Sequence, residues 1–160
     1  MTRVARDVSV QLFRWTPVGV RFLMLHRRAE RGGFWQGVTG APMPGESDTE
    51  AAIREAHEET GYAVGDRLLG LATRYAYALR PEAADQWASL YGPGVTSIPV
   101  ASFGAELVAP SPPVLDPVEH DDFLWCTYET ARTLLQWPVE ADALDGRRRA
   151  LTELFDRVIG

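Results

Sequence analysis

Cysteine is nearly missing from this chain. Of 160 residues one is cysteine, Cys126, which cannot close an internal disulfide and fits a reducing cytoplasm. Long apolar runs are missing too: a membrane-spanning helix needs about 20 consecutive apolar residues, and the longest stretches fall far short. No membrane partner is therefore expected. The opening MTRVARDVSVQLF carries Asp7 inside its only apolar stretch and is not expected to act as a secretory signal. There is no repeat, low-complexity tract or obvious linker. Positive charge is short as well. With 16 Lys+Arg against 22 Asp+Glu the net charge is -6, which argues against a nucleic-acid polymer as partner. What is present, 46% hydrophobic and 24% charged residues, describes one globular domain over residues 1–160 with a real core. An acidic protein can still take an anionic substrate when divalent cations stand between the two.

Apolar-rich runs at 8–13 and 20–25, separated by Thr16, Pro17 and Gly19, read as two strands around a turn. A Gly-rich loop follows from Arg31 to Gly45. Ser47-Asp48-Thr49-Glu50 has the spacing of a capping box, and the helix it opens should run to Thr60 and stop at Gly61, since glycine tolerates positive φ. Residues 68–79 read as one strand or two and 80–94 as a long loop. Residues 95–108 are strand-like but broken by Pro99 and Gly104. Four prolines between 110 and 117 mark an irregular loop, and 123–127 a short buried strand. Two helices close the chain, near 129–136 and 141–158, the second an amphipathic packing helix. Strands mixed with a few helices predict an α/β or α+β layered fold.

The helix after Ser47 carries the chemistry. Glu55, Glu58 and Glu59 stand at i, i+3 and i+4 and share one face, while Ala52, Ile53 and Ala56 are available for packing against a sheet. Between residues 48 and 60 five acidic side chains face one arginine, Arg54, a local charge of -4. On an exposed helix such neighbours cost only about 0.2–0.5 kcal/mol per pair, so an ordinary solvated acidic face has to be weighed. In a partly dry cleft the repulsion rises to roughly 3 kcal/mol per pair at about 6 Å, and a counter-charge is needed. Gathered hard oxygen donors suit Mg²⁺, with Mn²⁺ as a substitute, and Mg²⁺ pairs readily with substrate phosphates.

The spacing Gly40, Glu46, Arg54-Glu55, Glu58-Glu59, Gly61 is similar to the signature of the Nudix hydrolases, with all seven fixed positions matched over residues 40–61. Ala56 and Tyr62 depart from its aliphatic positions but remain apolar enough to pack. The resemblance implies an α/β/α sandwich around a mixed sheet and hydrolysis of a nucleoside diphosphate linked to another group. It also implies that Glu55 and Glu59 are the principal metal ligands and that Glu58 is a further ligand or the water-activating base. Glu46, held by Arg54, would be a supporting carboxylate.

Within that family, Phe34-Trp35-Gln36 and Val38-Thr39-Gly40 resemble the bacterial dihydroneopterin triphosphate pyrophosphohydrolases, also described as dATP-hydrolysing. Leu23-Met24-Leu25 before Arg27-Arg28, residues 91–96 (YGPGVT), and Glu119-His120 ahead of Trp125 echo the same subgroup. This finer resemblance implies Glu119 as a metal ligand from outside the helix, and Arg27, Trp35, Thr39 and Gly40 as substrate contacts. Arg27 would meet phosphate oxygens or the base, and Trp35 would stack on a purine or pterin ring. His57 and His120 read as structural or solvated, and most of the tryptophans as core. The expected reaction is release of pyrophosphate and a monophosphate from a small-molecule triphosphate. Two alternatives stand beside it: the same scaffold tuned to ADP-ribose, a dinucleoside polyphosphate or an oxidised nucleotide, or a nucleotide-sensing module without turnover. The intact glutamate set counts against the last. Oligomeric state is left open by the sequence, although the run at 109–118 could cover a partner.

Overall fold

A computed structural model of the chain describes residues 2–155. Strands β1 (Asp7–Thr16) and β2 (Gly19–Arg27) form the predicted hairpin, pairing from Phe13↔Phe22 to Thr16↔Gly19. Its turn is closed by the Thr16 hydroxyl, which donates to the Gly19 carbonyl at 2.7 Å. Beyond Phe13 the two strands part. The first half of β1 pairs with β4 (Val38–Gly40), whereas β2 turns to β3 (Trp35–Gln36) and β7 (His120–Cys126), all antiparallel. The other edge of β1 carries β6 (Ser97–Glu106) in parallel, and β5 (Leu68–Ala78) runs antiparallel beside β6. The sheet is therefore mixed.

Helix α1 (Asp48–Thr60) packs on β1 and β4, on one face of the sheet. On the other face α3 (Tyr128–Leu134) lies on β2 and α4 (Pro138–Phe155) on β5 and β6. Strand alternation divides the core between these two layers. Val8, Val10 and Leu12 of β1 join Leu23, Leu25, Phe103 and the alanines of α1. Phe13, Phe22, Met24, Leu144 and Leu151 fill the opposite side. The result is the expected α/β/α sandwich. On β1 the residues that alternate with the first set ahead of Phe13 are Asp7, Ser9 and Gln11, which are polar and buried nonetheless.

Two expectations need correction. The predicted loop at 80–94 contains α2 (Ala84–Tyr91), which follows a short 3₁₀ turn and ends at Gly92 in a positive-φ conformation. It has no side-chain N-cap and no buried residue, so neither a capping signal nor an apolar stripe marks it in the sequence. Strand β6 is continuous through Pro99 and Gly104. Pro99 lies before Val100, where pairing with β1 begins, so the missing N–H is not needed on that side. Gly104 admits close approach of α4, because a Cβ there would stand 3.0 Å from Leu151 Cδ2. Of the two readings open for residues 68–79, the structure has one strand, over 68–78, with a register shift between Gly70 and Arg74. The predicted helical tail beyond residue 155 lies outside the described residues. Among the described residues no helix is long and apolar enough to cross a membrane.

Candidate active site

Helix α1 begins and ends as its sequence dictates. Ser47 Oγ accepts from the Glu50 N–H at 3.1 Å, and Gly61, at φ 79°, donates its N–H to the His57 carbonyl. Ala51, Ala52, Ala56, Glu59 and Thr60 form its buried stripe. Glu59 thus lies on the packing side of the helix, and Ile53 is less buried than Ala51, so the acidic and packing faces overlap more than simple periodicity suggests.

Arg54 organises the loop before the helix. Its Nε and Nη2 donate to the two carboxyl oxygens of Glu46, each at 2.9 Å, in a bidentate pair. Nη2 also reaches the Ala41 carbonyl at 3.1 Å, and Glu46 Oε1 accepts from the Met43 N–H at 2.9 Å. The Arg54 hydrogen bonds hold the Glu46 carboxyl down at about 2. Nη1 of Arg54 donates to Glu55 Oε1 at 2.8 Å and to Glu58 Oε2 at 3.1 Å.

The three helix glutamates differ sharply in environment. Glu58 is half exposed, Glu55 is mostly covered, and Glu59 is only 4% exposed. Burial, and then the neighbouring Glu55, push the Glu59 carboxyl well above its ordinary range. Burial also raises Glu55, against the opposing pull of Arg54. Glu59 Oε2 accepts one backbone N–H, from Thr39 at 3.2 Å. Gly40 is required by Glu55: a Cβ at residue 40 would lie 2.2 Å from the Glu55 carboxyl carbon and 2.3 and 2.6 Å from its oxygens.

Glu119 arrives from the turn before β7. Its carboxyl oxygen stands 3.8 Å from Arg27 Nη2, and its charge acts on both Glu55 and Glu59. Arg27 also lies over the Phe34 ring, 5.5 Å from the centroid. Glu55, Glu58, Glu59, Glu119, Arg27, Thr39 and Gly40 all line one cavity of about 1220 Å³. Trp35 is not among its lining residues. The Trp35 ring packs with the α3/α4 side of the core and lies 5.0 Å from His26, while its neighbour Phe34 lines the cavity instead. His57 is exposed on α1. His120 is buried, and burial first, then Arg27, lowers its pKa, which keeps it neutral.

The cavity continues onto Asp7, Tyr75 and Tyr77 of the sheet, Trp87 and Tyr91 of α2, and Trp137. Sequence reasoning missed these residues because they come from separate elements; the alternation of Tyr75 and Tyr77 at i, i+2 was the one available sign that they share a face.

Among the described residues no three His, Cys, Asp or Glu side chains are drawn together closely enough to cage a metal. Glu55 and Glu58 instead share Nη1 of Arg54. The donor set nevertheless fits a hard divalent cation. It is all carboxylate, it lies at a cavity, and its most buried member, Glu59, forms no ion pair among the described residues.

The family model of the NUDIX domain matches residues 6–146. The dihydroneopterin triphosphate pyrophosphohydrolase of E. coli superposes with a TM-score of 0.73 at 25% identity, over 91% of this chain and 95% of that one. A C. elegans Ap4A hydrolase superposes with a TM-score of 0.70 at 21% identity, over 96% and 98% of the two chains, a likeness of fold. An octanoyltransferase of Myxococcus xanthus is 37% identical over 126 residues, which are 79% of this chain. The match spans about a third (32%) of that relative's length.

Proposed function

The chain belongs to the Nudix family and is a hydrolase of the pyrophosphohydrolase kind, and from that premise we propose that it cleaves a nucleoside or pterin triphosphate to a monophosphate and pyrophosphate. The observation that carries this reading is the meeting of three α1 glutamates with Glu119, Arg27 and Thr39 in one cavity large enough for a nucleotide. Glu55, Glu58, Glu59 and Glu119 would hold the divalent cation, Mg²⁺ or Mn²⁺, which when bound supplies charge neutralisation and Lewis acidity at the phosphates. Arg27 contributes a guanidinium suited to paired hydrogen bonds with phosphate oxygens. Arg54 fixes Glu46 and steadies the loop from Ala41 to Glu46, so that the helix start and the cavity keep one geometry. A glutamate of the cluster accepts a proton from the attacking water, whose oxygen bonds to phosphorus as the bridging P–O bond breaks and pyrophosphate leaves.

The likeness to the E. coli enzyme and the Val38-Thr39-Gly40 segment favour a dihydroneopterin triphosphate-like or dATP-like substrate over a dinucleoside polyphosphate. Acyl transfer has less support. The octanoyltransferase match covers a third of that relative, and the chain's one thiol, Cys126, is buried with its pKa pushed up to about 11. Chromatographic separation of the products formed with and without Mg²⁺, pyrophosphate and mononucleotides alike, tests the reading, using dihydroneopterin triphosphate, dATP, GTP, ADP-ribose and diadenosine polyphosphates. Mg²⁺-dependent release from a triphosphate supports it; turnover of ADP-ribose or dinucleosides alone would replace the substrate class.

A further inference from the structure

The cavity that gathers the glutamates also reaches a polar end of the sheet. Asp7 opens β1 in register with Val100 of β6, which pairs in turn with Tyr75 of β5, and Tyr77 lies two residues on along the same face. All four line the cavity. Asp7 is 7% exposed. Its Oδ2 accepts from the Tyr77 hydroxyl at 2.6 Å, while its Oδ1 is buried and has no hydrogen-bond partner. Arg3 Nη2, at 3.9 Å from Oδ1, is too far to donate. Burial, and Asp7 itself, raise the Tyr77 pKa, so Tyr77 keeps its proton and remains the donor of this pair.

A buried acceptor without a donor is costly, and native folds rarely keep one without a use. Asp7 itself lines the cavity, and for a ligand to supply the donor its carboxyl must turn the buried oxygen into the open space. An ionised carboxyl group accepts only, at two oxygens with about four lone-pair sites. It therefore complements a ring edge that offers two adjacent N–H groups and opposes one that offers a lone pair. Two aromatic pairs line the same cavity: Phe34 with Trp137, 4.8 Å apart, and Trp87 with Tyr91, 6.4 Å apart. They give a flat ring system surfaces on which to stack.

We propose that Asp7 selects the organic half of the substrate by accepting from the 2-amino and ring N–H groups of a guanine or pterin edge, and that it disfavours adenine. The proposal rests on the hydrolase reading and narrows it, setting pterin and guanine triphosphates ahead of dATP.

The test is calorimetric titration of GMP, IMP and AMP into the full chain with Mg²⁺, for wild type and for Asp7→Asn. IMP lacks the 2-amino group, and AMP lacks both donors. Wild type should bind GMP about 10-fold or more tighter than IMP, with AMP weakest, because a site built to pair with a donor rejects the analogue without it. Asp7→Asn should bring GMP and IMP within about threefold of each other. Equal wild-type affinities for GMP and IMP overturn the proposal. So does full discrimination retained by a folded Asp7→Asn protein, which would leave Asp7 as a strut for Tyr77. Should that variant fail to fold, the wild-type ratio still decides. Pyrophosphate release from GTP, ITP and ATP, measured in parallel, separates the two claims. Equal kcat/KM for all three removes the role of Asp7 and leaves the hydrolase standing, whereas selective binding without any release removes the hydrolase and leaves Asp7.

Discussion

Replacing Gly40 with alanine isolates the position of one carboxyl group. The Gly40 backbone is not among the positive-φ glycines, so alanine meets no conformational penalty there. The new methyl would instead lie 2.2 to 2.6 Å from the three carboxyl atoms of Glu55. Ordinary carbon contacts are about 3.5–4.0 Å, so the Glu55 carboxyl must retreat by more than about 1 Å. That group is the far end of a flexible side chain, and its displacement disturbs little packing. The unfolding free energy should change by no more than about 1 kcal/mol, since alanine also lowers the backbone entropy lost on folding. Catalysis is far more sensitive. A misplacement of about 1 Å in a reacting constellation costs roughly 100-fold. The expected outcome is a kcat/KM for Mg²⁺-dependent pyrophosphate release lowered roughly 100-fold, with a nearly unchanged melting temperature. Gly70→Ala is the control, because a Cβ there meets nothing within 4 Å and the backbone is again unstrained. A Gly40→Ala protein with wild-type kinetics would show the opposite, that the Glu55 carboxyl moves freely without consequence.

Further outcomes follow from the same geometry. Glu58→Gln and Glu59→Gln should each lower turnover by about 100-fold or more at saturating Mg²⁺, read by pyrophosphate release. Glu59→Gln should melt no lower than wild type, because burial and Glu55 already disfavour the charged form there and the amide leaves the Thr39 N–H an oxygen to bond; a large fall would show that the carboxyl group itself is structural. Glu46→Ala breaks the bidentate pair with Arg54 and should cost about 1.5–3 kcal/mol in urea unfolding at neutral pH. The folded Glu46 carboxyl is depressed to about 2, so this stabilisation is present above the ordinary carboxylate value near 4.5 and is lost as pH falls towards 2. The gap between wild type and Glu46→Ala should therefore close across that window. Leu144→Ala, in the fully buried α4 layer, should cost about 2–5 kcal/mol without altering kcat.

The helix, its cap and its stop were readable from sequence because each depends on local chemistry: a serine hydroxyl, a glycine at positive φ and carboxylates at helical spacing. The hairpin was readable for the same reason. What lay beyond reach depends on tertiary partners. Pro99 and Gly104 look like strand breakers until the end of β1 and the approach of Leu151 are known. Trp35 and Phe34 are neighbours in an aromatic string, and only strand pairing decides which of them lines the cavity. Asp7 is visible as a charge inside an apolar run, yet its orphan oxygen and its partner Tyr77, seventy residues away, exist only in the fold.

Carboxylates of α1 are proposed to hold the divalent cation on which phosphoanhydride cleavage depends. Anomalous diffraction from crystals soaked in Mn²⁺ would locate that cation. A manganese peak is expected about 2.0–2.3 Å from carboxyl oxygens of Glu55 and Glu59, with Arg54 released from Glu55. Density for solvent alone beside those two side chains, in a protein that hydrolyses its substrate, would contradict it.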